Sequence, residues 1–152
     1  MNGFYKVLDD IKDHFLANGI TNTVSYGDDS KMDLNKTSIF PLVHLDINRV
    51  EYTDTSIVFT IYVLCVGLID QDWVEESEDE FYTGNNDQDV MNEQLFVLTG
   101  LVESLRRGDL YRNNVRLYVQ PTAQPIGAFD DSQVAGWASE IQVAIPKDYS
   151  IC

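Results

Sequence analysis

Ser56-Ile57-Val58-Phe59-Thr60-Ile61-Tyr62-Val63-Leu64-Cys65-Val66-Gly67-Leu68-Ile69 is the stretch on which the fold turns. A half-exposed strand would place a polar residue at every second position. Here Ile57, Phe59, Ile61, Val63 and Cys65 load one face. Val58, Thr60, Tyr62, Leu64, Val66 and Leu68 load the other. Such a strand is central and needs cover on both sides. A helix supplies one cover. In a chain of 152 residues the other is expected from a second subunit, which makes Val58, Tyr62, Leu64 and Val66 interface candidates. The run is too short to cross a bilayer and is interrupted by Thr60, Tyr62 and Gly67.

Upstream, Thr53-Asp54-Thr55 is a turn, so a preceding strand forms a hairpin with this one. In that strand Val43, Leu45 and Ile47 alternate with His44, Asp46 and Asn48, and then the apolar parity shifts to Val50 and Tyr52. One extra residue near Asn48-Arg49 restores the pattern, which predicts a bulge there. Ile39-Phe40-Pro41 opens this strand, since proline is tolerated only at a strand start or edge. Before it, Gly27–Lys36 is polar and aperiodic and reads as loop, and Thr21–Tyr26 reads as a short strand. The chain opens with a helix over Gly3–Ala17, whose stripe is Phe4, Val7, Leu8, Ile11 and Phe15 and whose stop is Asn18-Gly19.

Downstream lies an acidic segment at about 70–87. Ten of the 25 acidic residues fall between Asp70 and Glu93, and no Lys or Arg occurs between Arg49 and Arg106. Such a block repels itself and stays solvated unless a basic partner neutralises it. Trp73, Phe81 and Tyr82 sit inside it, beside Glu75 and Glu76. These aromatics have no core to join and are read as partner anchors. A second helix follows, capped by Asp87 or Asp89. Its stripe is Met91, Leu95, Leu98, Val102 and Leu105, widened by Val97 and Leu101, and Gly108 ends it. Arg106, Arg107, Arg112 and Arg116 place four of the ten cations in eleven residues. They read either as a dipole-matched helix end with a solvated strand face, or as a basic patch that meets the acidic block of a neighbouring copy. A strand around Val115–Val119, a loop through Pro121–Ser132, a last strand over Val134–Ile145 and a tail complete the chain. The expectation is one α+β domain over 1–152. It has a mostly antiparallel sheet and two amphipathic helices packed on it, in the order α-β-(β-β hairpin)-α-β-β.

Lys and Arg total 10 against 25 Asp and Glu, a formal charge of −15. That excludes an exposed, sequence-reading DNA contact and docking on an anionic membrane. The 44% apolar content excludes a disordered acidic tail. Cys65 is a core hydrophobe and Cys152 the last residue, which fits a reduced compartment. The first residues do not read as a signal peptide. His14 and His44 have no metal-ligand spacing, with His14 beside the helix stripe and His44 facing outward. Asn85, Asn86, Asp87 and Asp89 come nearest to a calcium loop. They lack its glycine and closing glutamate and read as solvated loop and helix cap. No nucleophile elbow or phosphate loop occurs, so no catalytic residue, metal or cofactor is assigned and the chain is read as a non-enzyme.

Several stretches carry a family likeness. They are the Phe4–Phe15 helix, Phe40-Pro41-Leu42-Val43 at the start of the sheet and the helix Asp87–Arg107. Gly136-Trp137-Ala138 leading to Ile141-Gln142-Val143-Ala144-Ile145-Pro146, with a terminal Cys152, adds to them. In this order they resemble the tail terminator (tail completion) proteins and related neck ring proteins of tailed double-stranded DNA bacteriophages. The resemblance implies a structural virion protein in the neck or tail, made in the host cytoplasm. It implies a ring, a hexamer in the terminators, that joins the tail to the head-side connector. Partners would be further copies and neighbouring neck and tail proteins, with DNA only as passing cargo. The resemblance also implies subunit contacts from Val58–Ile69 and Asp70–Asn86. The alternative from composition is an acidic DNA mimic that blocks a basic host protein.

Overall fold

The computed structural model describes residues 3–27, 39–69, 87–126 and 134–147. The elements run α1 (Gly3–Ala17), β1 (Thr23–Tyr26), β2 (Leu42–Tyr52), β3 (Ser56–Leu68), α2 (Asp87–Arg107), α3 (Asp109–Arg112), β4 (Arg116–Leu117), β5 (Ala123–Ile126) and β6 (Val134–Pro146). The six strands form one sheet in the order β1-β2-β3-β6-β4, with β5 also on β6. β1 runs parallel to β2, and every other pairing is antiparallel. This is an α+β fold with the apolar strand β3 at its centre.

The helices lie on one face. Val7, Ile11 and Phe15 of α1 are fully buried. At about 1.5–3 kcal/mol for each buried apolar side chain, those three contacts hold a helix too short to persist alone in water. They meet Val43 and Leu45 of β2, the odd-numbered residues of β3 from Ile57 to Cys65, and Ile141, Val143 and Ile145 of β6. From α2 the buried residues are Gln94, Val97, Leu98, Leu101, Ser104 and Leu105. The predicted stripe is therefore rotated: Leu95 is exposed and the Gln94 amide is buried instead. The reason is the tight approach of α2 to β3 at Gly67, where an added Cβ would stand 2.8 Å from Val90 Cγ1 and 3.3 Å from Gln94 Nε2. Trp137 packs against the same core, and its Nε1–H donates to the Met91 carbonyl at 2.9 Å.

The predicted bulge is present. Ile47 pairs with Ile61 and Arg49 with Thr60, so Asn48 is the extra residue. Residues paired across a ladder share a face, so Val50 and Tyr52 return to the helix side, opposite Phe59 and Ile57. The Thr53–Ser56 turn is held by the Thr53 N–H on the Ser56 carbonyl and the Ser56 N–H on Thr53 Oγ1, both at 2.9 Å.

Three further expectations are corrected. The second cover of β3 comes from the chain itself: Leu42, Leu64, Val66 and Val134 form a buried cluster on the other face, with Ile39, Phe40 and Ile126 packed on it. Part of the loop after Pro121 is the edge strand β5. Its Pro125 is tolerated because only one side of β5 is paired. His44 does not face outward. It is fully buried, its Nε2–H donates to the Gly27 carbonyl at 2.7 Å, and Nδ1 meets the Ser25 hydroxyl at 2.7 Å. It thereby ties β1 to β2. Gly108 ends α2 as expected, but α3 follows at once, with the Leu110 N–H on Ser104 Oγ.

Candidate interaction surface

The interface residues expected from the sequence separate into three groups. Val58, Leu64 and Val66 are buried within the single chain, at 0%, 3% and 0% exposure, and offer a neighbour no surface. Tyr62 is half-buried and lines a hollow of about 350 Å3 with Thr122, Gln124 and Glu140. Trp73, Glu75, Glu76, Phe81 and Tyr82, and the segment 70–86 as a whole, lie outside the described residues.

The four arginines are near one another in space, but their charges are not equivalent. Arg107 Nε donates to Glu103 Oε2 at 2.7 Å, one helical turn back. Arg112 Nη1 donates to Asp109 Oδ1 at 2.7 Å. Arg106 stands 3.9 Å from the same Glu103, at the limit of an ion pair. Arg116 makes no ion pair among the described residues. Its guanidinium lies 4.3 Å from the centre of the Tyr111 ring, with Nε on the Tyr111 carbonyl and Nη2 on Asn114 Oδ1, both at 3.4 Å. Exposed pairs such as these contribute little to stability, so their importance is where they leave charge.

Arg106 and Arg116 line one hollow of about 270 Å3, with Tyr111, Leu117, Tyr118 and Val119 among its other walls. A second hollow of about 180 Å3 adjoins it through Arg106 and Gln120 and runs along α2 past Val102, Leu98 and Leu95. Exposed Leu95, Tyr111, Tyr118 and Val119 line these two hollows. The sequence reading named the arginines here and missed the apolar residues. The available signal was the apolar pair Tyr118-Val119 shortly before Pro121.

The outer half of the β2–β3 hairpin is a second exposed feature. β1 pairs only with Leu42–Leu45, and among the described residues nothing pairs the outer edge of β2 beyond Leu45. Val50 and Tyr52 are on the helix side of the sheet but lie beyond the helices, at 37% and 74% exposure. The Arg49–Glu51 ion pair, at 2.9 Å, occupies the opposite face of this arm. An open strand edge with apolar neighbours is a surface on which another chain can pair.

Twelve of the 25 acidic residues and eight of the ten cations lie in the described residues, a net of −4 out of −15. The described part of the chain is thus only mildly acidic. Burial lowers the His14 pKa below its ordinary 6.5, with the Asp109 carboxylate opposing that shift. The Cys65 thiol is pushed up to about 12 by burial. Among the described residues no three of His, Cys, Asp and Glu converge to hold a metal, and no helix is long and apolar enough to cross a membrane. No protein-family model matches the chain, and no curated protein sequence matches it.

Proposed function

We propose that this chain is a structural virion protein, a ring-forming tail terminator or neck component that joins a phage tail to the head-side connector. The observation that carries the reading is the outer half of the β2–β3 hairpin, on its β2 side. It combines an open strand edge past Leu45 with exposed Val50 and Tyr52. A surface of that kind on so small a chain suits pairing with copies of itself. The element order α-β-(β-β)-α-β-β, with α3 and β5 as short additions, is in keeping with the resemblance.

The acidic balance suits the same role. A lumen that repels phosphate lets DNA pass without sticking, and a charge of −15 on each copy supplies that repulsion. No catalytic step, metal or cofactor is part of the proposal. Negative-stain electron microscopy of the purified protein at high concentration tests it. Closed rings with a central opening are the expected result. Isolated particles of one-chain size at every concentration would overturn it.

A further inference from the structure

The arginine cluster is really two pairs. Arg107 and Arg112 are held by Glu103 and Asp109. Arg106 and Arg116 instead share the hollow of about 270 Å3 walled by Tyr111, Tyr118 and Val119. Arg106 has a carboxylate only at 3.9 Å, and Arg116, held by the Tyr111 carbonyl, Asn114 and the Tyr111 ring, has none among the described residues. Two under-neutralised guanidinium groups beside an aromatic wall recognise a ligand that presents carboxylates and a flat apolar ring close together. Asp70–Asn86 has that composition, with seven acids, no cation, and Trp73, Phe81 and Tyr82.

We infer that the Arg106–Arg116 hollow receives the Asp70–Asn86 segment of a second copy of this chain. The inference rests on the self-assembling reading above and supplies it with a directional contact. Chain length keeps the molecule's own aromatic residues short of the hollow, although its middle carboxylates, nine residues from either end and so within about 31 Å, do reach it. Both of its ends are tethered near the start of α2: one is Asp87 itself, and the other follows β3, whose Gly67 touches Val90 and Gln94. Arg106 is nineteen residues along α2 from Asp87, about 28 Å at 1.5 Å per residue. Trp73 is four residues past Ile69 and Phe81 six before Asp87. At about 3.5 Å per residue they reach only about 14 and 21 Å, even fully extended. In a neighbouring copy no such tether applies. Because hollow and segment are different parts of the chain, the contact is head-to-tail. It repeats from copy to copy and generates a ring where the rotation closes.

The test uses a fluorescein-labelled synthetic peptide of residues 70–86 titrated onto the full-length protein, read by anisotropy. Saturable binding is expected, weakening about tenfold or more between 50 and 300 mM salt, because exposed charges are screened over that range. Arg106→Glu with Arg116→Glu should abolish it. Arg107→Glu with Arg112→Glu, which alters the charge equally outside the hollow, should leave most of it. Trp73→Ala with Phe81→Ala in the peptide should also abolish it. Equal loss in both arginine pairs, or no loss in either, overturns the inference, as does the absence of binding to the wild type. Circular dichroism of each protein variant checks that it is folded. Native mass of the same samples separates this contact from the ring reading. Wild type and the Arg106/Arg116 variant assembling equally would overturn the contact and leave the ring. Peptide binding by a wild type that never assembles would support the contact and overturn the ring.

Discussion

Deleting one residue from β2 should be nearly harmless at Asn48 and damaging two positions earlier. Between Leu45 and Val50 the bulged strand has four residues, where β3 has three between Val63 and Phe59. Removing Asn48 leaves Asp46, Ile47 and Arg49 opposite Tyr62, Ile61 and Thr60, their present partners. The direct loss is the exposed hydrogen bond from Asn48 Nδ2 to Glu140 Oε1, 3.2 Å long and worth about 0.5–1 kcal/mol. Removing Asp46 also leaves three residues, but Ile47 then faces Tyr62 on the wrong side and Asn48 faces the fully buried Ile61. Misplacing the half-buried Ile47 costs about 1 kcal/mol, and a buried amide without a partner about 1–3 kcal/mol more. The two deletions should differ by about 2 kcal/mol. With an m-value near 2 kcal/mol/M, that is about 1 M in the urea midpoint. Urea unfolding of both deletions, followed by far-ultraviolet circular dichroism, measures it. Protein concentration is kept equal because assembly adds stability by mass action. Midpoints that agree within about 0.3 M, or a lower midpoint for the Asn48 deletion, would refute the bulge argument.

Gly136→Ala should be severe, because its Cβ would stand 1.8 Å from the Cys65 carbonyl oxygen in the neighbouring strand backbone. A loss of about 3 kcal/mol or more is expected in urea unfolding, since overpacking and broken ladder bonds add. His14 should make stability pH-dependent. Its folded pKa lies below 6.5, so the unfolded chain binds more protons in the window just below 6.5, and stability falls as pH drops through it. In His14→Gln that part of the fall should vanish, as urea midpoints measured between pH 5 and 7.5 would report. Cys65 is buried with its thiol pushed up to about 12, so in a Cys152→Ser background an alkylating reagent at pH 8 should label it only after denaturation, as read by intact mass.

The sequence displayed those parts of the fold in which periodicity and burial coincide. α1 and the hairpin follow from their apolar stripes, and the bulge follows from a single parity change in β2. The α2 stripe was displaced because Gly67 admits Gln94, a pairing between distant segments that no local pattern carries. β5 escaped notice because its ladder is made wholly by β6, and Pro121 and Pro125 mask it locally. His44 looked outward by alternation alone, and only the return of β1 beside β2 covers it. At the interaction surface the charges were legible as a run. Their division into neutralised and available pairs depends on the turn of α3 and on Tyr111, which composition does not reveal. The two-sided apolarity of β3 does demand cover on both faces, but the second cover comes from distant parts of the same chain, Leu42, Val134, Ile39, Phe40 and Ile126, rather than from another subunit.

Native mass spectrometry of the purified protein, across a concentration series, tests the central claim most directly. The account predicts a closed assembly at one integer multiple of the 17.3 kDa chain, six in keeping with the resemblance, with no ladder of open intermediates at high concentration. A monomer or dimer at every concentration would contradict the ring. Such a result, together with salt-sensitive capture of a basic protein, would favour the acidic mimic instead.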